Sequence, residues 1–161
     1  MDLAAVFRQF APYVATIAYR ILGTRDELDD VVQDVFLSAH RALDTLRNPD
    51  AINSWLATVT VRLCRQRLRR RRMRRWLLLE TPPAAFEPPD PGASPETRAA
   101  LNDVFRALES VPVNARIAWS LRYLQGERLE RVAELAGCSL AAVKRRLARA
   151  QGVLDQVIAH E

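Results

Sequence analysis

Two short amphipathic runs lie within residues 129–150, separated only by Gly137, Cys138 and Ser139. Apolar residues recur at three- and four-residue intervals in both runs, which predicts two helices. Gly137 suits the left-handed position that ends one helix, and the Ser139 hydroxyl can cap the helix that follows. Two helices joined by so short a turn form a helix-turn-helix. The sequence therefore predicts a small helical domain in the C-terminal part of the chain.

The second helix of this motif is predicted to carry a cationic face. Arg145 and Arg149 are four residues apart and share one side of the helix, and Lys144 and Arg146 lie beside them. A helix that reads the major groove needs such cations for phosphates and for guanine edges, and Ser139 stands at its start. A solvated basic face on a helical hairpin is the alternative. DNA binding is favoured because the turn, the cap and the charge agree.

Charge is distributed in blocks along the chain, whose net charge is +5. Residues 51–75 contain nine arginines and no acid, whereas residues 1–50 carry five arginines and eight acids. Residues 76–97 contain four acids and no base. The remainder is basic, so two basic blocks flank an acidic one, which indicates two contacts on one nucleic acid. For the arginine-rich block alone, a frayed solvated tail or a targeting patch is the alternative.

Two helices are predicted before the arginine-rich block. The first covers residues 3–22, and Pro12 is expected to kink or split it because proline removes a backbone donor. Thr24 and Glu27 match a capping box for the second helix, which is predicted to run to about residue 46.

The remaining segments complete an all-α prediction with two small helical domains. A third helix is predicted over residues 51–75, and two more over about 95–109 and 113–124. Six prolines within residues 80–95 disfavour helix and sheet and predict an extended linker. No stretch alternates with a period of two for long enough to form a strand. The predicted segments are a first domain over 1–76, a Pro-rich acidic linker over 77–95 and a second domain over 96–161.

The sequence offers no motif for catalysis, metal binding or membrane insertion. Cys64 and Cys138 do not form a cluster with zinc-ligand spacing, and both are expected to be small buried residues in a reducing cytoplasm. No glycine-rich nucleotide loop is present. The N-terminus lacks the basic region of a signal peptide, and Arg8, Pro12 and Arg20 interrupt its apolar stretch. We therefore expect a cytoplasmic protein that is not an enzyme, needs no cofactor and is not inserted into a membrane.

Four polar residues, Asp29, Asp30, Gln33 and Asp34, share one face of the second predicted helix. No histidine, lysine or metal-ligand set accompanies them, so they are better interpreted as a docking surface than as general acids. An ordinary solvated face is the alternative for such a run taken alone.

Together these features resemble a bacterial RNA polymerase sigma factor of the extracytoplasmic-function type, in the sigma-70 family, over nearly the whole chain. Residues 28–37, LDDVVQDVFL, are similar to the family's helix that binds the clamp of the polymerase. Trp55 and Leu56, followed by the arginine-rich block, resemble the part that reads and opens the downstream (minus-ten) promoter element. Residues 108–112 and 121–127, followed by the helix-turn-helix, resemble the domain that binds the upstream (minus-thirty-five) element.

The resemblance implies a transcription initiation factor that binds core RNA polymerase and directs it to specific promoters, helping to open the DNA. It also implies an anti-sigma protein as a partner, although no residue of the sequence points to one. The implied polymerase-binding residues are Asp29, Asp30, Gln33, Asp34 and Phe36. The implied contacts to the downstream element are Trp55, Arg62, Arg65, Gln66, Arg69 and Arg70. The implied contacts to the upstream element are Ser139, Lys144, Arg145, Arg146 and Arg149.

Three positions depart from the family pattern. Arg62 replaces an Asn that helps to form the pocket for a flipped-out base, and Gln66 replaces an Asp or Asn. Ala142 replaces the usual Thr of the recognition helix, which removes one hydroxyl contact. Two alternatives therefore stay open. One is a stand-alone helix-turn-helix regulator, which leaves the acidic helix and the arginines unexplained; the other is a sigma-like adaptor that has lost promoter melting.

Overall fold

This computed structural model describes residues 2–46, 48–77 and 92–160, and within these ranges the chain forms helices joined by short turns. In chain order the helices are α1 (Leu3–Leu22), α2 (Leu28–Ala42), α3 (Asp50–Trp76), α4 (Pro95–Leu108), α5 (Val113–Trp119), α6 (Leu129–Ala136) and α7 (Leu140–Ala159). Helix α5 continues directly into one π-helical turn, Ser120–Leu124. No strand occurs within the described ranges, and the all-α prediction is confirmed.

Helices α1, α2 and α3 pack around one apolar core. Ile17 and Ile21 from α1 meet Val31 and Val35 from α2 and Leu56 from α3, and none of the five is more than 1% exposed. Burying one such side chain contributes about 1.5–3 kcal/mol relative to leaving it in water. The periodic apolar faces predicted from the sequence therefore hold the N-terminal helices together.

Helix α1 is continuous, so the prediction that Pro12 splits it is wrong. Proline cannot donate to the carbonyl of Arg8, but both residues are exposed and water can satisfy that carbonyl. The Thr16 hydroxyl donates to the carbonyl of Pro12 at 2.8 Å one turn later. The apolar face of α1 lies on the other side, where its burial outweighs the loss of one backbone hydrogen bond.

The predicted capping box at Thr24 and Glu27 is also wrong. The Thr24 hydroxyl accepts from the backbone N–H of Asp26 at 3.2 Å, and α2 begins only at Leu28. The Glu27 carboxylate lies 3.6 Å from the guanidinium of Arg71 in α3 instead of returning to the backbone. A partner distant in sequence has thus replaced the local cap. Helix α2 ends at Ala42, earlier than predicted.

The C-terminal helices begin and end where local signals indicate. The Ser94 hydroxyl caps α4 by accepting from the N–H of Thr97 at 3.2 Å. In the helix-turn-helix, Gly137 closes α6 with a left-handed φ of 70°, and the Ser139 hydroxyl accepts from the N–H of Ala142 at 3.1 Å to cap α7. The predicted helix-turn-helix geometry is therefore present.

The C-terminal helices pack directly against the N-terminal ones, and we call this interface the seam. Ile117 of α5 and Val132 and Leu135 of α6 belong to the same buried cluster as Leu56 and Cys64 of α3. The predicted Pro-rich linker falls mainly on residues 78–91, which lie outside the described residues. Within the described ranges, the two helical groups share one continuous core across the seam.

Candidate interaction surfaces

The polar face of α2 is open to solvent over most of its length. Asp29, Asp30 and Gln33 are exposed. Asp34 is half exposed, and its carboxylate accepts from the Arg67 guanidinium at 3.1 Å. Four of the five residues implied for polymerase binding thus form one acidic surface, in which Asp34 already has a cationic partner.

The fifth of these residues, Phe36, is 5% exposed and lies below the surface. Its ring packs edge-on against Phe7 of α1, with ring centroids 4.8 Å apart. The two rings help to line an apolar groove of about 660 Å³ between α1 and α2, whose walls also include Asp29 and Gln33. Phe36 therefore shapes the floor of this groove beside the acidic surface.

Sequence reasoning missed the contribution of α1 to this groove. Phe7 of α1 is 45% exposed, and Leu37 of α2, which is 51% exposed, lines the same groove. The missed signal is that Leu37 lies outside the three- and four-residue spacing of Val31, Val35 and Ala39, which are buried residues of α2.

The predicted downstream contacts on α3 separate into two groups. Arg62, Gln66, Arg69 and Arg70 are exposed. Trp55 and Arg65 are partly buried, and Arg65 donates to the carbonyl of Ala136 at the end of α6 at 2.8 Å. Helix α6 therefore covers part of the surface that the resemblance assigns to promoter DNA.

A buried ionic network crosses the seam beside these residues. The Glu109 carboxylate accepts from Arg116 of α5 at 2.9 Å, lies 3.9 Å from Arg71 of α3, and also accepts from Arg75 of α3. Arg116 and Arg71 both donate to the carbonyl of Leu22 at the end of α1, each at 3.0 Å. One carboxylate thus connects three arginines from the two halves of the chain.

Burial determines the ionisation of two groups near this network. Desolvation, followed by the nearby charge of Arg71, lowers the pKa of Arg116 to about 9, which leaves it charged at neutral pH. Desolvation raises the pKa of Cys64 to about 12, so its thiol is protonated. Both cysteines are free; Cys64 is buried as expected, whereas Cys138 is only partly buried.

The predicted upstream contacts lie along α7. Ser139 is used as the helix cap, and Lys144, Arg145 and Arg149 are exposed. Arg146 is partly buried, and its Nη1 atom is buried and has no hydrogen-bond partner among the residues that the structure describes. The cationic face predicted for the second helix of the motif is therefore present, with one arginine turned towards the seam.

Neither a membrane-spanning helix nor a metal-binding cluster occurs among the described residues. None of their helices is both long enough and apolar enough to cross a membrane. No group of three or more histidine, cysteine or acidic side chains in these ranges is arranged to hold a metal ion.

Comparisons with known proteins match both halves of the chain. The family model for Sigma-70 region 2 matches residues 6–74, and the model for Sigma-70, region 4 matches residues 101–150. The ECF RNA polymerase sigma factor SigM of Mycobacterium tuberculosis (strain H37Rv) is 32% identical over 155 residues, which cover 96% of this chain and 76% of that protein. The ECF RNA polymerase sigma-E factor of Escherichia coli K12 is 29% identical over 161 aligned positions, covering 90% of this chain and 80% of the relative.

Two solved structures have a similar fold. The sigma factor RpoE in complex with the anti-sigma factor NepR, from Bartonella quintana, superposes with a TM-score of 0.72 at 22% identity, covering 98% of this chain and 97% of that one. CnrH in complex with the cytosolic domain of CnrY gives a TM-score of 0.65 at 22% identity, covering 99% and 88% of the two chains. The sequence matches show that the chain belongs to the extracytoplasmic-function sigma factors of RNA polymerase, the transcription initiation factors of the sigma-70 family.

Proposed function

We propose that the acidic surface of α2 docks this sigma factor onto core RNA polymerase. The observation that carries the proposal is the exposure of Asp29, Asp30 and Gln33 on one helix face, next to the open groove floored by Phe36. Carboxylates at the rim and apolar side chains in the groove suit a partner helix with basic residues around an apolar ridge. On docking, the Asp34 carboxylate would leave its ion pair with Arg67 and pair with a basic residue of the polymerase.

Helix α3 is the proposed contact to the downstream promoter element. Arg62, Arg69 and Arg70 are exposed cations on one helix, and Gln66 lies among them, so they can lie along phosphates and bases without rearrangement. The Arg65 guanidinium becomes available only when α6 moves off α3, because it donates to the carbonyl of Ala136. Trp55, which packs against the shared core, is a further proposed contact. In this proposal promoter opening therefore requires the seam to open.

Helix α7 is the proposed reader of the upstream element. Lys144, Arg145 and Arg149 project from a helix whose start is fixed by the Ser139 cap, as expected for a helix in the major groove. Arg146 reaches DNA only after the seam opens. Ala142 offers a methyl group where the family has a hydroxyl.

The proposal extends to organisation and location. We assign residues 1–76 and 96–161 to the two functional domains and residues 77–95 to their linker. The protein acts in the cytoplasm, where polymerase and chromosome meet, and it performs no catalysis of its own. An anti-sigma protein is a proposed partner because the RpoE structure contains one.

Reconstitution with core polymerase tests the docking surface. The double variant Asp30→Lys, Asp34→Lys should lose binding to core polymerase and all promoter-directed transcripts, because cations replace both carboxylates. Asp44→Lys, a charge reversal at an exposed residue just beyond α2, is the matched control and should bind as the wild type does. Normal assembly of the double variant would place the docking surface elsewhere.

The same reconstitution separates the other interpretations. Transcripts from defined promoters support a sigma factor that opens DNA. Binding to core polymerase without an open complex would identify an adaptor that has lost promoter melting, which the exposed Arg62 in place of Asn would explain. Binding to duplex DNA without core polymerase would indicate a stand-alone regulator.

A further inference from the structure

Four arginines from the two halves of the chain line one crevice at the seam. Arg69 and Arg72 come from α3, and Arg146 and Arg149 come from α7. Residues 112–115, at the start of α5, form the remaining wall, and the crevice has a volume of about 340 Å³. We call these four residues and this wall the arginine crevice. No acidic residue of the described ranges lines it.

The charges of the crevice are not neutralised by the protein residues that the structure describes. Within those ranges Arg69, Arg146 and Arg149 have no carboxylate within ion-pair distance, and the Nη1 atom of Arg146 is buried without a hydrogen-bond partner. Arg72 is positioned by a 3.3 Å hydrogen bond to the carbonyl of Val111, which leaves its charge uncompensated. The adjacent ionic network differs in having an acidic partner, because there the Glu109 carboxylate pairs with three arginines.

The excess of positive charge also affects the pKa of a neighbouring residue, Arg65. Burial lowers the pKa of Arg65, and the charges of Arg69 and Arg146 lower it further. Like charges brought together at a partly buried interface oppose its formation unless an anion joins them. The arginines of the crevice therefore repel one another while the seam is closed, and an anion bound between them would relieve this repulsion.

We propose that the arginine crevice binds a compact anion carrying two or more phosphate groups. A guanidinium pairs with phosphate through two parallel hydrogen bonds, and four of them match the charge of a di- or triphosphate better than that of a single phosphate. The volume of the crevice lies at the lower end of the range for small-molecule sites, and a DNA duplex is too large to enter it. The ligand is either an inorganic polyphosphate or the phosphate tail of a nucleotide.

Binding at this site stabilises the closed arrangement. Arg72 and Arg146 belong to different halves of the chain, so an anion held by both is bound only while the seam is closed, and it shifts the population towards that form. The same ligand opposes promoter binding, because it occupies Arg69, Arg146 and Arg149. The effect on promoter binding rests on the proposed DNA contacts, whereas the anion site and its effect on the seam do not.

Calorimetric titration of the full chain with inorganic tripolyphosphate tests the site. Arg72→Gln and Arg146→Gln should each weaken binding about tenfold or more, since each removes charge-assisted hydrogen bonds. Arg70→Gln and Arg145→Gln are the matched controls, because each removes one exposed arginine adjacent in sequence but outside the crevice. The controls should change the affinity by less than about twofold. Equal weakening by all four variants, or no binding by the wild type, overturns the proposal.

Hydrogen exchange reports the state of the seam in the same samples. Tripolyphosphate should slow amide exchange in α6 of the wild type and leave exchange in Arg146→Gln unchanged; unaltered exchange in the wild type would overturn the link to closure. ATP in place of tripolyphosphate identifies the source: tighter binding of ATP assigns a nucleotide, and tighter binding of tripolyphosphate assigns an inorganic polyphosphate. The samples contain no polymerase, so a negative result here would not bear on the proposed docking surface, and a negative docking experiment would not bear on the anion site.

Discussion

Glu109 is the residue whose neutralisation should weaken the seam most. Its side chain is 11% exposed, and it accepts from Arg116 and Arg75 and lies near Arg71. The Glu109→Gln substitution keeps the size of the side chain and one acceptor oxygen but removes the only negative charge that these arginines share in the described residues. The perturbation is therefore electrostatic rather than steric.

The magnitude follows from burial. The side chain of Arg116 is only 3% exposed, so water screens its uncompensated charge poorly, whereas Arg71 keeps the Glu27 carboxylate at 3.6 Å. Removing one partner of a buried ion pair costs about 3–5 kcal/mol. Hydrogen bonds from both arginines to the carbonyl of Leu22 survive the change. We therefore expect a loss at the lower end of this range, about 3 kcal/mol in the free energy of unfolding.

Urea denaturation measures this loss directly. With an m-value of about 2 kcal/mol/M, the midpoint should fall by about 1.5 M. Glu134→Gln is the matched control: this carboxylate of α6 pairs with Arg131 at 3.0 Å but is 68% exposed, so its neutralisation should cost less than about 1 kcal/mol. Amide exchange in α6 should accelerate in Glu109→Gln and not in the control. If Glu109→Gln remained within about 1 kcal/mol of the wild type with unchanged exchange, the network would not be what holds the seam.

Two further predictions concern α7 and the buried thiol. Arg145→Ala should relax base preference at one or two upstream promoter positions at a cost of about 1–3 kcal/mol, measured by binding of holoenzyme to a promoter library; uniform weakening would mean that Arg145 touches only phosphate. Burial raises the pKa of Cys64 from 9.0 to about 12, so the stability it contributes is complete below pH 9 and declines as the pH rises towards 12. In urea titrations above pH 9 the wild type should lose up to about 1.4 kcal/mol per pH unit more than Cys64→Ala, and parallel slopes would show that the thiol is not protected.

Features set by neighbouring residues were predictable from the sequence. The turn at Gly137 and the cap at Ser139 depend on residues within one helical turn, and both are present in the structure. The failures at Pro12 and Glu27 have the opposite origin. The continuity of α1 is decided by which face is buried, and the partner of Glu27 is Arg71, 44 positions away. Local chemistry could not reveal either.

The seam itself could not be predicted, because its apolar residues give no indication of their partner. Val132 and Leu135 of α6 lie in the core shared with α3, and nothing in their spacing distinguishes that core from one confined to the C-terminal helices. Arg116 was not singled out among ten bases of the C-terminal segment, although it is 2% exposed. A cation within an apolar helical stripe, between Ala115 and Ile117, was the available signal.

The arginine-rich block therefore has two roles that its composition does not distinguish: a buried ionic contact and a set of exposed cations. Arg71 continues the buried stripe of α3, seven residues after Cys64 and three after Leu68, and it holds Glu109 rather than phosphate. Of the proposed downstream contacts, Arg62, Arg69 and Arg70 are exposed while the seam is closed. Opening would release more cations but would also strip Arg116 of its partner and expose Val132 to water, both of which are unfavourable. A ligand shifts such an equilibrium only by its difference in affinity for the two forms. The contacts that this sigma factor makes with polymerase and promoter must therefore be stronger in the open form by more than the free energy that the seam supplies.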